Sequence, residues 1–317
     1  MAKVQQKSEK ITAFGGIFFV LDKFDSILSS VIDSHLGLRS TLIGYQYSEI
    51  IRAIFSVFCC GGDCMEDLNL YLKDTLTERP QTRVPSADTV LRGIEELATE
   101  NISYTAEKTG NVYDFNTAEK LNQLLIKLLL ATGQLTEGGA YDVDFDHQFL
   151  EADKYDSKRT YKGFDGYSPG VFTIGGLIAY LENRDVDLFD GEYTYRCILT
   201  NDWDMTDEQI ILHYNKRGSA EQVFDRQNND FGWAHLSKSF MNQNTVFLLI
   251  TAMAANFYRY IVALPLMAVL FGIKATDRVK SFLFRFIAVP AKWVKTARQY
   301  RLNIYSNKTY NLIWEHG

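Results

Sequence analysis

Four polar side chains recur at helical spacing in residues 213–233, HYNKRGSAEQVFDRQNNDFGW. They are Tyr214, Arg217, Glu221 and Asn228, and the last three follow Tyr214 by 3, 7 and 14 positions. At about 100° per residue, a continuous helix brings these side chains within roughly 60° of one another. One helix face would therefore offer a phenol, a guanidinium, a carboxylate and an amide, a combination suited to a metal ion and a phosphate group.

A second acidic pattern lies upstream, in GAYDVDFDHQF, where Asp142, Asp144 and Asp146 occupy alternate positions. Alternate residues of a strand share one side, and Asp is disfavoured inside strands. Clustered carboxylates repel one another unless a cation lies between them, and hard divalent cations prefer carboxylate oxygens. Strand and helix together predict metal-dependent phosphoryl transfer on DNA, in which two ions about 3.5–4 Å apart act on an in-line displacement. We interpret His147 as an ordinary polar residue and not a ligand.

The elements before the acidic strand are predicted to be helical, over about the first 130 residues. Tyr47–Phe58 has apolar residues at helical spacing with Ser48 as its N-cap, and a helix starts after Pro85 with Ser86 or Asp88 as cap. Residues 121–130 form a further helix that ends near Gly133. Short helices with arginines nearby fit a helix-turn-helix DNA reader, and they fit an ordinary helical bundle equally well.

From Gly139 onward the pattern predicts strands and then helices. Strands are expected at 140–145, at 171–181 with Gly175-Gly176 as a bulge, and at 193–200. Helix resumes near Thr206 or Asp207, and either continues through Gly218 or restarts at a capping box that begins at Ser219. This order predicts an α/β fold with an α-helical domain before the sheet.

Composition limits the choice of class. With 317 residues and 46% apolar content, the chain has enough material for about two domains with a real core. The net charge of −6 means that any DNA contact must be a local basic patch. The apolar run at 245–272 is interrupted by Arg259 and Pro265, which favours two buried helices meeting at the proline over a membrane span. The four cysteines are expected to be free thiols in a reducing cytosol.

Taken together, YDVDFDHQF, ENRD and YNKRGSAEQVFDRQNNDFGW resemble the DDE transposases of bacterial insertion sequences, in the branch with a Tyr-x-x-Arg-x-x-x-Glu helix. The resemblance implies an RNase H-like core, a mixed sheet with flanking helices, at 136–260. An α-helical domain that includes any helix-turn-helix would occupy 1–135, and a helical extension 261–317. It also implies Mg²⁺, with Mn²⁺ as a substitute, and DNA partners comprising transposon terminal repeats and target DNA. A homodimer on DNA, a cytoplasmic, nucleoid-associated location and no membrane contact are expected.

The resemblance assigns roles to individual residues. It implies that Asp144 is the first catalytic aspartate, with Asp142 as the close second choice, and that Glu221 is the last metal ligand. It places Tyr214 and Arg217 on a DNA phosphate, and Asn228 stands where the family often has Lys. From the residues alone, the helix could also be a surface salt-bridge ladder and the strand a solvated acidic hairpin.

The chain departs from the family in its spacing, since only a short stretch separates Asp144 from Glu221 where the family normally has a long one. ENRD runs directly into VDLFDGEYTYRCILTND with no second aspartate strand, which indicates an internal deletion near 185–187. Asp185, Asp187 or Asp190 would be the stand-ins. Three functions stay open at this point: an active transposase, a non-catalytic DNA-binding derivative or repressor of a full-length transposase, and a helical scaffold.

Overall fold

The chain divides by its packing into two compact units in a computed structural model. The structure describes residues 3–40, 43–105, 110, 112–160, 162–185, 204–215 and 219–317, with backbone only at 212–215 and 219–221. One unit is Met1–Gly93 with Phe257–Gly317, and the other is Ile94–Asn256. The predicted domain limits at 135 and 260 stay predictions.

Most of the described helices lie before residue 98 or after residue 206. In chain order they are α1 Ile17–Ile27, α2 Ser29–Leu36, α3 Tyr47–Cys59, α4 Lys73–Thr77, α5 Ala87–Leu97, α6 Glu119–Ala131, α7 Asp207–Asn215, α8 Ser219–Asp230, α9 Met241–Ala263, α10 Pro265–Phe271, α11 Val279–Phe282 and α12 Tyr310–His316. Short π-helical turns, Leu68–Leu72 and Leu283–Ile287, adjoin α4 and α11. The prediction of helix onset near Thr206 or Asp207 is confirmed by α7.

Helix starts follow their capping chemistry. Ser86 caps α5, as predicted, with its Oγ accepting the Thr89 N–H at 3.3 Å. The prediction of Ser48 as cap of α3 is wrong, because Gln46 is the N-cap and forms a capping box with Glu49. Ser48 lies inside the helix and donates from its N–H (2.9 Å) and its hydroxyl (2.6 Å) to the Asp33 carboxylate.

The strands form one large and two small antiparallel sheets. They are β1 Ile102–Thr105, β2 Val112–Asn116, β3 Val143–His147, β4 Leu150–Glu151, β5 Lys158–Arg159, β6 Asp165–Tyr167, β7 Gly170–Ile174, β8 Leu177–Arg184, β9 Ala291–Thr296 and β10 Gln299–Ile304. The large sheet has the order β1-β2-β8-β7-β3, and the small sheets have the orders β4-β6-β5 and β10-β9. Every pairing between these strands is antiparallel, and the predicted strand at 193–200 lies outside the described residues.

Two strand predictions need correction. Gly175 and Gly176 are not a bulge inside one strand but the turn between β7 and β8, and their φ values of +55° and +77° suit glycine. The ladder irregularity falls instead between Phe172 and Thr173. The region before the acidic strand is not all helical either, because β1 and β2 form a hairpin that joins the sheet through Asn116 and Asn183.

Two buried asparagines from helices complete the edge of β8. Asn122 of α6 accepts the Leu181 N–H at 2.9 Å and donates to the Leu181 carbonyl at 2.7 Å. Asn256 of α9 does the same for Ile178, at 3.0 and 2.7 Å. Since a buried, unpaired backbone amide costs about as much as a lost hydrogen bond, these contacts fix α6 and α9 against the sheet in register.

Helix α9 is the one described helix that is long and apolar enough, by length and composition alone, to cross a membrane. Most of its apolar window, 83%, is buried inside the protein, as in the core helix of a soluble protein. It ends at Ala263, and α10 begins with Pro265 as its first residue. The prediction of two helices meeting at Pro265 is therefore confirmed.

Candidate functional site on strand β3

The aspartates that the sequence singled out lie at the start of β3 and along it. Asp144 pairs with Thr173 of β7, and Asp146 pairs with Val171. Opposed residues of an antiparallel pair project to the same side, and Thr173 and Val171 are buried. The two half-buried carboxylates therefore share the covered side of the sheet. Asp142 precedes the strand and is exposed, so it lacks the fixed position that the ladder gives Asp144.

His147 lies on the other side of β3, two residues after Phe145. Its ring stacks edge-on against Phe145, with ring centroids 4.7 Å apart, and Arg184 Nη2 lies 2.6 Å from Nε2 and 3.0 Å from Nδ1. Burial first, and the Arg184 charge second, lower the pKa of His147 from 6.5 to about 4, against the opposing effect of Asp146. At neutral pH the imidazole is thus a neutral acceptor that orients the Arg184 guanidinium.

This protonation state predicts a loss of stability in acid. In the unfolded chain the His147 pKa is about 6.5, so between pH 6.5 and 4 the unfolded chain binds a proton that the folded chain does not. Stability from this residue is complete above pH 6.5 and is lost as pH falls towards 4. After allowance for partial exposure, we expect His147→Gln to reduce the loss by on the order of 1 kcal/mol. Urea unfolding at pH 7 and pH 5 measures it, and an equal loss in both proteins would contradict it.

Asp185, one of the possible stand-ins for a second catalytic aspartate, lies away from β3 at the end of β8. Its carboxylate is buried, forms an ion pair with Lys158, and accepts the Asp114 N–H at 3.0 Å. In the strand order, β7 lies between β8 and β3. The contacts of Asp185 therefore join the β2–β8 end of the sheet to β5, which is a structural role. Asp187 and Asp190 lie outside the described residues.

The structure describes only part of the predicted helical half of the site. Arg217 lies outside the described residues, and for Tyr214 and Glu221 only the backbone is described, in α7 and α8. The helical stretch thus has two described parts, separated by 216–218. Asn228 is half-buried in α8, and its Oδ1 has no hydrogen-bond partner among the described residues.

The residues after α8 anchor that helix. The chain reverses at Gly232, whose φ is +76°, and the Trp233 N–H donates to the Gln227 carbonyl at 3.1 Å. The Trp233 indole is fully buried and donates from Nε1 to Thr251 Oγ1 of α9 at 2.9 Å. This contact ties the helix that carries Glu221 to the core helix α9.

Asn183 is a polar residue of the sheet that the sequence reasoning missed. It is fully buried in β8, opposite Asn116 of β2, and neither atom of its amide has a partner among the described residues. The available signal was an Asn inside a strand, where Asn is depleted. A buried, unsatisfied amide of this kind is unusual in native proteins, and it marks the β2–β8 junction as a polar part of the interior.

The cysteines that the structure describes form no disulfide bonds. Cys59, Cys60 and Cys64 are free, as predicted, and Cys197 lies outside the described residues. Asp63, Cys64 and Asp67 bring one ligand atom each within 4.8 Å of one another, although Asp67 Oδ2 already accepts the Asp63 N–H at 3.0 Å. Within the described ranges this is the one such trio, and the sheet presents none.

The antiparallel sheet with carboxylates on β3 is followed in the chain by helix α8, which includes Glu221. The family model described as the transposase DDE domain matches residues 97–257, which is 161 of 317 residues and more than half of the chain. The chain belongs to this family, and the α/β fold prediction is confirmed with it. No curated protein and no solved structure matches the chain.

Family membership establishes the general function. The chain carries the DDE domain of a transposase, an enzyme family that acts on DNA and generally uses divalent metals. The matched residues include the whole five-stranded sheet and helices α6 to α8. Helices α1 to α4 and the β9–β10 hairpin lie outside them.

Proposed function

We propose that the protein cleaves the ends of an insertion sequence and joins them to target DNA in a divalent-metal-dependent reaction. The observation that carries the proposal is the position of Asp144, half-buried on β3 and held by the ladder to β7 within the matched DDE domain. Asp144 and Glu221 would hold the metal from two separate elements, with Asp142 as the second choice for the strand ligand. Mg²⁺ is the expected ion and Mn²⁺ its substitute.

The donor set fits a hard cation, because the described candidates, Asp142 and Asp144, are carboxylates. When bound, the metal supplies Lewis-acid stabilisation of the phosphoryl oxygens. The chain's own contribution is to position the phosphate. Arg217 would bind two phosphate oxygens through its planar guanidinium and Tyr214 would donate its hydroxyl. At Asn228 a neutral amide replaces the cation found in many relatives, so this phosphate contact is weaker.

A second candidate function follows from the short spacing between Asp144 and Glu221. If an internal segment near 185–187 has been lost together with the second aspartate, the chain is a DNA-binding derivative or repressor that pairs with a full-length transposase. The engaged carboxylate of Asp185 supports this candidate, since Lys158 already neutralises it. Sequencing the locus tests the deletion, because an intact, longer reading frame there would remove the reason for it. In both cases we propose a homodimer on DNA in the bacterial cytoplasm.

Calorimetric titration with Mn²⁺ tests the metal site directly. We expect stoichiometric binding to the wild type that is lost in Asp144→Asn, because the amide removes the charge and one anionic ligand oxygen. The matched control is Asp63→Asn, which removes a carboxylate from the separate Asp63–Cys64–Asp67 trio and should leave binding unchanged. If Asp63→Asn abolishes binding and Asp144→Asn does not, the ion binds at that trio and the proposed site is wrong.

A further inference from the structure

Basic residues are concentrated in one C-terminal segment of this acidic protein. Residues 278–314 contain eight Lys or Arg and no Asp or Glu. Removing those eight from the chain's 33 basic residues leaves 25 against 39 acidic ones, a net charge of −14 for the rest. A single-sign segment within a chain of opposite charge creates a local positive potential that attracts anions.

The centre of this segment is the β9–β10 hairpin. Its base is anchored, because Ala291 bridges to Thr12 and the Trp293 ring contacts Phe18 edge-on with centroids 5.4 Å apart. Its distal part, residues 295–301, is exposed throughout. The turn contains Ala297 at φ +55°, a left-handed conformation that L-residues other than Asn and Asp seldom adopt. The hairpin is thus a two-stranded ribbon with a fixed base and a solvent-exposed tip.

Four basic residues follow one another at every third position along this hairpin: Lys292, Lys295, Arg298 and Arg301. Lys292 is paired with Glu9 at 3.2 Å. None of the other three forms an ion pair with a described acidic side chain. Lys295 Nζ lies 5.2 Å from the ring centroid of Tyr300, so its position is supported by a cation–π contact and not by a carboxylate.

The register distributes these charges around the ribbon. Lys295 is opposite Tyr300, Arg301 is opposite Val294, and Arg298 lies in the turn between the strands. Since successive strand residues alternate sides, Lys295 and Arg301 project from opposite faces while Arg298 occupies the tip. A ribbon that binds a flat anionic surface needs basic side chains on one face only. Basic side chains on both faces and at the tip are suited to a groove with anionic walls.

We propose that the tip of the β9–β10 hairpin, residues 295–301, binds the phosphate backbone of duplex DNA. The major groove of B-DNA, about 12 Å wide, admits a two-stranded β-ribbon, and phosphates border it on both sides. Lys295, Arg298 and Arg301 provide three exposed cations for those phosphates. The inference rests on the proposed function, and it adds a DNA contact outside the matched DDE domain, in the segment where basic residues of this acidic protein are concentrated.

Fluorescence anisotropy of the full-length protein with a labelled 30-base-pair duplex, over a range of salt concentrations, tests the proposal. In the triple variant Lys295→Gln, Arg298→Gln, Arg301→Gln, we expect affinity to fall about tenfold or more. The slope of log affinity against log salt should decrease by up to about 3, since each phosphate contact contributes about 0.9. A charge-retaining variant, Lys295→Arg, Arg298→Lys, Arg301→Lys, should bind like the wild type. The matched control replaces the exposed Lys3, Lys7 and Lys162 by Gln, which changes the net charge equally.

The outcomes of this experiment distinguish the proposed hairpin–DNA contact from the proposed transposase function. Wild-type affinity in the triple variant, with normal DNA binding by the wild type, overturns the hairpin contact and leaves the proposed function standing. An equal loss in the Lys3, Lys7 and Lys162 control also overturns it, because net charge would then be the cause. If the wild type does not bind DNA at all, both proposals fail. Binding to phosphatidylserine vesicles that is lost in the triple variant while DNA binding is retained would assign the tip to membranes instead.

Discussion

Glu221→Gln is expected to abolish metal-dependent DNA cleavage while leaving the fold intact. Gln has nearly the same shape as Glu but offers a neutral amide, so it removes an anionic metal ligand without removing volume. Metal stabilisation of the transition state is worth several kcal/mol, which corresponds to a rate loss of at least about 10³-fold. The measurement is nicking of a supercoiled plasmid with Mg²⁺ or Mn²⁺, together with the urea unfolding midpoint of each protein.

Asp225→Asn is the matched control for that experiment. Asp225 is exposed on the same helix, four residues after Glu221, and its Oδ1 accepts the Asn229 amide at 2.7 Å. The charge change is identical, so Asp225→Asn should retain cleavage if the effect belongs to Glu221 itself. Cleavage that survives Glu221→Gln would remove Glu221 from the metal site. A wild type that binds DNA but does not cleave it would favour the DNA-binding derivative.

Local signals with a single physical cause predicted the structure well. Pro265 lacks an N–H and restricts the residue before it, and the helices meet there as expected. Gly133 follows α6 with a φ of +69°, as a residue just past a helix end often does. Ser86 caps α5 through its hydroxyl. In each case the deciding contact lies within four residues in sequence, so no tertiary information was needed.

Predictions that depended on distant residues were less accurate. Ser48 looked like a cap, but Asp33, fifteen residues earlier, accepts both its N–H and its hydroxyl and holds it inside α3. The β1–β2 hairpin has a short, exposed first strand, and its place in the sheet depends on pairing with β8, which lies far along the chain beyond α6 and β3. A pairing with such a distant strand produces no periodic pattern within the segment itself. The N-terminal region was therefore predicted to be helical throughout.

The candidate site shows the same division. Alternation predicted that Asp142, Asp144 and Asp146 share one side of a strand. The ladder confirms this for Asp144 and Asp146 and contradicts it for Asp142, because β3 begins at Val143. Composition required a local basic patch for DNA binding. The sequence did not locate this patch. Basic residues at every third position do not share one side of a strand, and their arrangement around the ribbon follows only from the register of β9 and β10.

Trp233→Ala is expected to cause the largest loss of stability among the single changes considered. The indole is fully buried, and truncation of a buried Trp to Ala costs about 3–5 kcal/mol through lost contacts and the cavity that remains. Trp233→Phe keeps most of the ring volume but leaves Thr251 Oγ1 without its 2.9 Å indole donor, so it should cost about 1–2 kcal/mol. Urea unfolding followed by circular dichroism measures both changes.

The same pair of variants tests whether the anchor of α8 positions the metal ligand. Because Trp233 links the end of α8 to α9, loosening it should weaken Mn²⁺ binding through Glu221 even in Trp233→Phe, where the protein remains folded. Thr251→Val is the partner variant, because it removes the acceptor of the same hydrogen bond from α9. It should weaken Mn²⁺ binding as Trp233→Phe does. Full Mn²⁺ affinity in both folded variants would show that α8 holds Glu221 in place without this anchor, and would limit Trp233 to a role in stability.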